Sequence, residues 1–387
     1  WVKERFRGYA PDWTQNIVNT QINHYDKLPK WARKEKPEGA TSLKDDRYFW
    51  DFFGNLIKLN KLRFPHMKQR IYDPMWEVNL NHPEAACAKP DYVAEDIVRL
   101  YADARKVVDA EDPGAWLVGP NCSSPIKNFD WNEPVFKAGL FTYVDAYNCH
   151  GYHPPPPEEA QVREKIRSLK TMIKTYNNGQ LVPLICTELG YRSQYGAEDK
   201  HRDHARWHAR VAVILKGEGF KTYYPFYSYD FIKMDWSWGI NYNLDKNLKY
   251  GSKRISPKAA VPALAVCIDQ LEGTVPVTDI PFFNHDVWCY VFRETASDKP
   301  VIVLWSVNYN HKISFPAGNV KTLQMTNIMG HKSTVPVKNG MAQLDVTPDP
   351  LYIRGADATI YAHCGKISDS VIASVYPGES VDVAVEE

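Results

Sequence analysis

The chain has almost no charge excess: Lys+Arg is 47 and Asp+Glu is 46 over 387 residues, a formal net charge of +1. Nucleic-acid and polyanion binders normally carry a basic surplus, so no nucleic-acid partner is expected. No stretch approaches the roughly 18–20 consecutive apolar residues of a membrane span, and none is expected. The seven cysteines, at 87, 122, 149, 186, 267, 289 and 364, include no CxxC pair, and their odd number excludes complete intrachain pairing. There is no HExxH, no GxGxxG and no GxxxxGK[ST] phosphate loop, so neither a metal nor an organic cofactor is expected. Low-complexity segments are also lacking. Aromatic residues, by contrast, are plentiful at 13%, with 12 Trp and 23 Tyr. Flat rings in that number suit stacking on sugar faces, and equally an aromatic core.

The first two-thirds alternate short apolar runs with amphipathic helical stretches, the pattern of parallel β/α units. Strands are expected at Thr20–Leu28, Tyr72–Val78, Ala115–Val118, Tyr143–Cys149, Leu181–Cys186 and Lys221–Tyr227. Between them, Val93, Ile97, Leu100, Tyr101, Ala104, Val107 and Val108 form one helical stripe, and Val162, Ile166, Leu169 and Ile173 another. The expected fold is α/β: a (β/α)8 barrel over residues 1–255, its first one or two strands upstream of residue 1, because only about six units are countable. From about Ser256 short alternating strands separated by turns such as Asn339-Gly340 predict an all-β sandwich over 256–365. Residues 366–387 read as a tail or the start of a further β module.

The polar residues that could do chemistry follow the strands, where such a barrel places its active site. Glu77 sits in Met75-Trp76-Glu77-Val78-Asn79 at one strand end, and Glu188 ends a strand three units later. Barrel geometry can set both across one cavity, and two carboxylates flanking a glycosidic bond are what its hydrolysis requires. Around them, Trp31, Trp76, Asn79, Asn121, His150, Tyr152, Tyr227, Tyr229, Trp236 and Trp238 are candidates to hold a carbohydrate substrate. The aromatic members could stack on a pyranose face, although any one of them alone is as readily packing.

These stretches carry a resemblance: MWEVN at 75–79, WLVGPN at 116–121, YVDAYNCHGYH at 143–153, ICTELGYRS at 185–193, FYSYDF at 226–231 and the sandwich run at 328–355. Over about residues 20–365 the chain resembles the clan A retaining glycoside hydrolases, family-39-like and family-5-like (β/α)8 enzymes with a C-terminal β-sandwich. The resemblance implies that Glu188, in Thr-Glu-Leu-Gly, is the nucleophile and Glu77 the general acid/base. The clan usually carries Asn-Glu at the acid/base, whereas here Glu77 follows Trp76. If the slot falls instead on Leu80 or Asn81, neither can donate a proton as a carboxylic acid. The chain would then be an inactive barrel serving as a carbohydrate-binding or scaffolding module.

Three other patterns are weighed against this one. Trp131-Asn132-Glu133-Pro134 spells the acid/base motif, but it is set aside as an Asn-, Asp- and Pro-rich loop too close to Glu188 in sequence. His201, His204 and His208 share a helix face, which invites a metal hydrolase reading. Arg202, Asp203 and Arg206 interleave with them, and a solvated or salt-bridged face is expected instead. A Cys149–His150 protease-like dyad has no orienting motif beside it.

Overall fold

The computed structural model describes residues 17–19, 46–74, 77, 94–123, 129–195, 198–230, 237–245, 254–366 and 371–375. They fall into two units. The first takes the described residues of Trp1–His153, with Glu164–Leu189 and Lys221–Tyr224; the second takes Pro154–Arg163, Gly190–Phe220 and the residues from Pro225 onward. The strand expected at Thr20–Leu28 lies outside the described residues.

The first unit is built by helical and strand periodicities that alternate along the chain. Its strands are β1 (Ile17–Asn19), β2 (Ile71–Asp73), β3 (Trp116–Leu117), β4 (Tyr147–Asn148), β5 (Leu184–Leu189) and β6 (Phe220–Pro225). Its helices are α1 (Asp46–Arg63), α2 (Ala94–Glu111), α3 (Phe129–Lys137) and α4 (Val162–Tyr176). β1 pairs parallel with β2, β2 with β3 and β4 with β5, and a parallel Val118–Ala146 bridge links the β3 and β4 segments. β6 lies beside β5. Neighbouring strands of the first unit thus follow chain order, the pattern of successive parallel β/α units.

The apolar stripes decide which helix faces are buried. Ile97, Leu100, Tyr101, Ala104 and Val108 of α2 are buried, as are Val162, Ile166, Leu169 and Ile173 of α4. At the sheet's lower end, Asp112 accepts from Arg70 Nη2 at 2.8 Å and from Tyr72 OH at 2.7 Å, tying β2 to the end of α2. One expectation is corrected: Trp131–Pro134 lies within helix α3, not a loop. Pro134 costs that helix one backbone hydrogen bond, yet Val135 and Phe136 bury themselves beside it.

Among the described residues the second unit contains α5 (His201–Gly217), α6 (Ala260–Leu271), two short antiparallel strand pairs (Gln194–Tyr195 with Glu198–Asp199, and Asn241–Asn243 with Ile255–Pro257) and a sheet of nine strands. The nine are β7 (Thr274–Asp279), β8 (Val287–Glu294), β9 (Pro300–Ser306), β10 (Asn310–Pro316), β11 (Thr322–Thr326), β12 (Lys332–Lys338), β13 (Met341–Val346), β14 (Leu351–Arg354) and β15 (Val371–Val375). The sequence predicts a sandwich here; the structure joins the strands into one antiparallel sheet in the order β7-β8-β9-β14-β11-β12-β13-β10-β15. Val291 and Ile302 near one end share a core with Ile313, Phe315 and Leu344 near the other. Strands that far apart in a sheet can share a core only if it curls over on itself, which buries both walls as a sandwich would. Trp288, Tyr290 and Trp305 stack on the opposite face of β8 and β9, so these strands are buried on both sides.

Candidate active site

The site lies at the C-terminal ends of β2, β4 and β5 in the first unit. Val118 to Asn121 continue from β3, and Gly151 and Tyr152 from β4. Glu77, four residues beyond Asp73, is buried at 4% exposure. Its backbone is left-handed, at φ 43°. That conformation costs a non-glycine residue about 1–3 kcal/mol, and such strain gathers at functional positions. Asn121 Oδ1 accepts the Glu77 N–H.

Glu188 comes up from β5. A carboxylate oxygen of Glu188, one of Glu77 and a ring nitrogen of His150 lie within 4.8 Å of one another. His150 is fully buried between the two strand ends: Nδ1 lies 2.8 Å from Glu77 Oε1 and Nε2 lies 2.9 Å from Thr187 Oγ1. Burial lowers the His150 pKa, against the opposing pull of Glu188 and Asp73, and keeps the ring neutral near pH 7. Tyr152 donates its hydroxyl to Glu188 Oε1 at 3.0 Å. Burial, and then the Glu188 and Glu77 carboxylates, push the Tyr152 phenol well above its ordinary range, so it stays a donor.

Beneath the pair lies a layer that the sequence reading did not name. Asp73 is fully buried and accepts from Asn121 Nδ2 and Asn148 Nδ2, each at 2.6 Å. Asn148 Nδ2 also reaches Thr187 Oγ1 at 2.6 Å, and its Oδ1 accepts the Thr187 N–H at 3.2 Å. Gly119 makes room for this layer: at its φ of 117°, a Cβ would sit 2.2 Å from Tyr101 OH and 2.9 Å from Asp73 Oδ1. The available sequence signals were weak: Asp73 closes a strand before Pro74, and Thr187 immediately precedes Glu188.

The structure therefore brings Glu77, Asn121, His150, Tyr152 and Glu188 together, with Asn121 engaged by Asp73 and the Glu77 backbone. Trp31, Trp76, Asn79 and Trp236 lie outside the described residues. Tyr227, Tyr229 and Trp238 belong to the second unit. There Tyr227 packs against Phe226 at 5.0 Å and Tyr229 at 5.7 Å, and Trp238 against Phe226 at 5.9 Å.

The other patterns resolve on burial. Burial pushes the Cys149 thiol well above its ordinary range, and both His150 nitrogens are engaged elsewhere, which leaves no nucleophilic dyad. Glu133 is exposed and accepts from Tyr176 OH at 2.5 Å. His204 and His208 are buried rather than solvated: their Nε2 atoms lie 3.2 Å apart, and His204 Nε2 lies 3.1 Å from the Tyr191 carbonyl. The donor set best spaced for a metal ion among the described residues is Glu77, His150 and Glu188. His150 would first have to release Glu77 or Thr187.

No protein-family model matches the chain, and no curated protein matches it. Solved structures do share its fold. A family 39 glycoside hydrolase from the gut symbiont Bacteroides cellulosilyticus WH2 is similar over 88% of this chain and 75% of its own, with a TM-score of 0.62 at 14% identity. The catalytic domain of GH30 xylanase C from Talaromyces cellulolyticus gives a TM-score of 0.53 at 9% identity, over 79% of this chain and 67% of its own. CelM2, a bifunctional glucanase-xylanase from a metagenome library, gives 0.53 at 13% identity, over 82% and 70%. The mixed α/β architecture is thus one found among glycoside hydrolases.

Proposed function

We propose that the chain is a retaining glycoside hydrolase that cleaves O-glycosidic bonds of an oligo- or polysaccharide through Glu77 and Glu188. The observation that carries this is the approach of the two carboxylates within 4.8 Å at the ends of parallel strands. Retaining enzymes hold their carboxyl groups about 5–5.5 Å apart, whereas inverting enzymes need about 6.5–9.5 Å to admit a water between them. The fold shared with glycoside hydrolases supports the same reading.

Two carboxylates this close ionise together only at a cost, so one retains a proton. Glu77 is the more buried, which favours its neutral form and the role of acid. Glu188 attacks the anomeric carbon while Glu77 gives its proton to the departing glycosidic oxygen. The resulting glycosyl ester on Glu188 is then broken by water, whose proton returns to Glu77, and the anomeric configuration is retained overall. Neutral Tyr152 steadies Glu188 as its charge comes and goes, and neutral His150 orients Glu77. In this proposal residues 1–255 contribute a (β/α)8 barrel whose first one or two strands lie upstream of residue 1, and 256–365 form an accessory β domain. Asn121 stays with Asp73 and the Glu77 backbone, and Trp31, Trp76, Asn79, Tyr227, Tyr229, Trp236 and Trp238 are proposed as sugar-binding residues.

The test is hydrolysis of aryl glycosides, xylan and glucan by the purified chain and by Glu188→Gln. Turnover that falls by about 10³-fold or more in the variant supports the assignment. Equal turnover in both contradicts it. Binding of the same polysaccharides with no turnover by either would mark the chain as an inactive carbohydrate-binding barrel.

A further inference from the structure

We propose that Asp73 is a positioning residue for this site, one buried carboxylate that fixes both halves of the acid pair and sets their working pH range. The proposal rests on the glycosidase reading for its kinetic consequences, and on geometry for the rest.

Two arms leave the same oxygen of Asp73. The short arm runs from Asp73 Oδ2 through Asn121 Nδ2 at 2.6 Å, and Asn121 Oδ1 then accepts the N–H of Glu77. The long arm runs from Asp73 Oδ2 through Asn148 Nδ2 at 2.6 Å. Asn148 then grips Thr187 at both its hydroxyl and its N–H, at 2.6 and 3.2 Å. Thr187 is the residue before Glu188, and its hydroxyl meets His150 Nε2, whose other nitrogen meets Glu77. Movement of Asp73 would therefore disturb the acid through the Asn121 arm and the nucleophile through the Asn148 arm.

An ionised Asp73 in so dry a place needs several strong donors, and the two amides supply them. A carboxylate rather than an amide at this position also places a negative charge under the pair. That charge disfavours ionisation of both glutamates and helps keep the acid protonated. Titratable groups facing Asp73 include Tyr101, whose hydroxyl lies 3.4 Å from Oδ1, together with Cys122 and His150, which its charge also acts on. Glu77 and Glu188 stand beyond them.

Asp73→Asn separates charge from shape, because the amide oxygen can still accept from Asn121 and Asn148. The Glu77 carboxyl carbon, labelled with 13C and assigned by its loss in Glu77→Gln, is titrated by NMR in wild type and Asp73→Asn. The kcat/KM pH profile is recorded in parallel. The expected result is a Glu77 titration about one unit lower in the variant, with both limbs of the pH profile displaced to lower pH. A folded Asp73→Asn protein whose Glu77 titration does not move overturns the proposal. If Asp73→Asn does not fold, Asn148→Ala decides. Shifted ring 15N resonances of His150, with kcat about tenfold lower and KM unchanged, support the long arm; unmoved resonances and kcat overturn it. A wild type that hydrolyses no glycoside refutes the glycosidase reading. The NMR titration is measured regardless and judges Asp73 alone.

Discussion

Tyr152 donates its hydroxyl to Glu188 Oε1 at 3.0 Å, from a position where burial keeps the phenol protonated. In the proposed mechanism, a neutral donor on this carboxylate steadies it without adding a charge that would weaken its attack on carbon.

Removing only that hydroxyl, as Tyr152→Phe, is expected to lower kcat/KM by about 10–100-fold, since a hydrogen bond to a charged group is worth about 1.5–3 kcal/mol. The thermal transition should move little. Steady-state kinetics on an aryl glycoside, with a melting curve beside it, makes the check. A variant as fast as wild type would mean that the bond does not matter to turnover.

Gly119→Ala is expected to damage the site from below. A Cβ there would collide with Tyr101 and Asp73, and φ 117° is hostile to alanine. Expected outcomes are a melting temperature several degrees lower and loss of activity beyond what the unfolded fraction explains. Circular dichroism and residual activity at 20 °C below the transition separate the two effects.

In the second unit, acid should unfold the protein through buried histidines. Burial, and then the Lys258 charge, lower His208 from 6.5 to about 3. The folded state therefore refuses a proton that the unfolded chain accepts. Stability is full above about pH 6.5 and is lost as pH falls from there towards 3. The melting temperature should drop about 3–5 °C per pH unit in that window, and His208→Gln should flatten the slope. Calorimetry between pH 7 and 4 reads it, and parallel slopes for the two proteins would refute the attribution.

A second stability prediction concerns Arg210, buried 3.6 Å from Glu158 and donating to the Pro348 and Ser306 carbonyls. Glu158 also accepts from Trp305 Nε1 at 2.7 Å. Arg210→Ala leaves that carboxylate without its cation and those carbonyls without their donor, at a cost of about 3–5 kcal/mol. Urea denaturation should show the loss, and a loss under about 1 kcal/mol would contradict it.

Much of the architecture was legible in the sequence, because periods of 3.6 and 2 leave distinct apolar stripes. The helix on Ile97, Tyr101 and Val108 follows directly from that rule, whereas β8 and β9, buried on both faces, read as short continuous apolar runs. Helix α3 escaped it because Asn132 and Pro134 interrupt the run, and β7 escaped it because Pro276 does. The meeting of Glu77 with Glu188 could be anticipated from their places at strand ends. The Asp73–Asn148–Thr187 layer could not. Asn148 reads like any polar strand residue until its register opposite Ile185 turns it inward. His204 and His208 misled in the opposite sense. Arg202 and Arg206 flank them in sequence, but the helix turns those arginines to Asp349 and the histidines into the interior.

In the proposed mechanism Glu188 becomes covalently bonded to sugar while Glu77 handles the proton. Mass spectrometry of the chain after incubation with an activated 2-deoxy-2-fluoro glycoside tests it most directly. One sugar mass gained, on the peptide that holds Glu188, is the predicted result. Continued turnover with no adduct, or an adduct on a different residue, would contradict it.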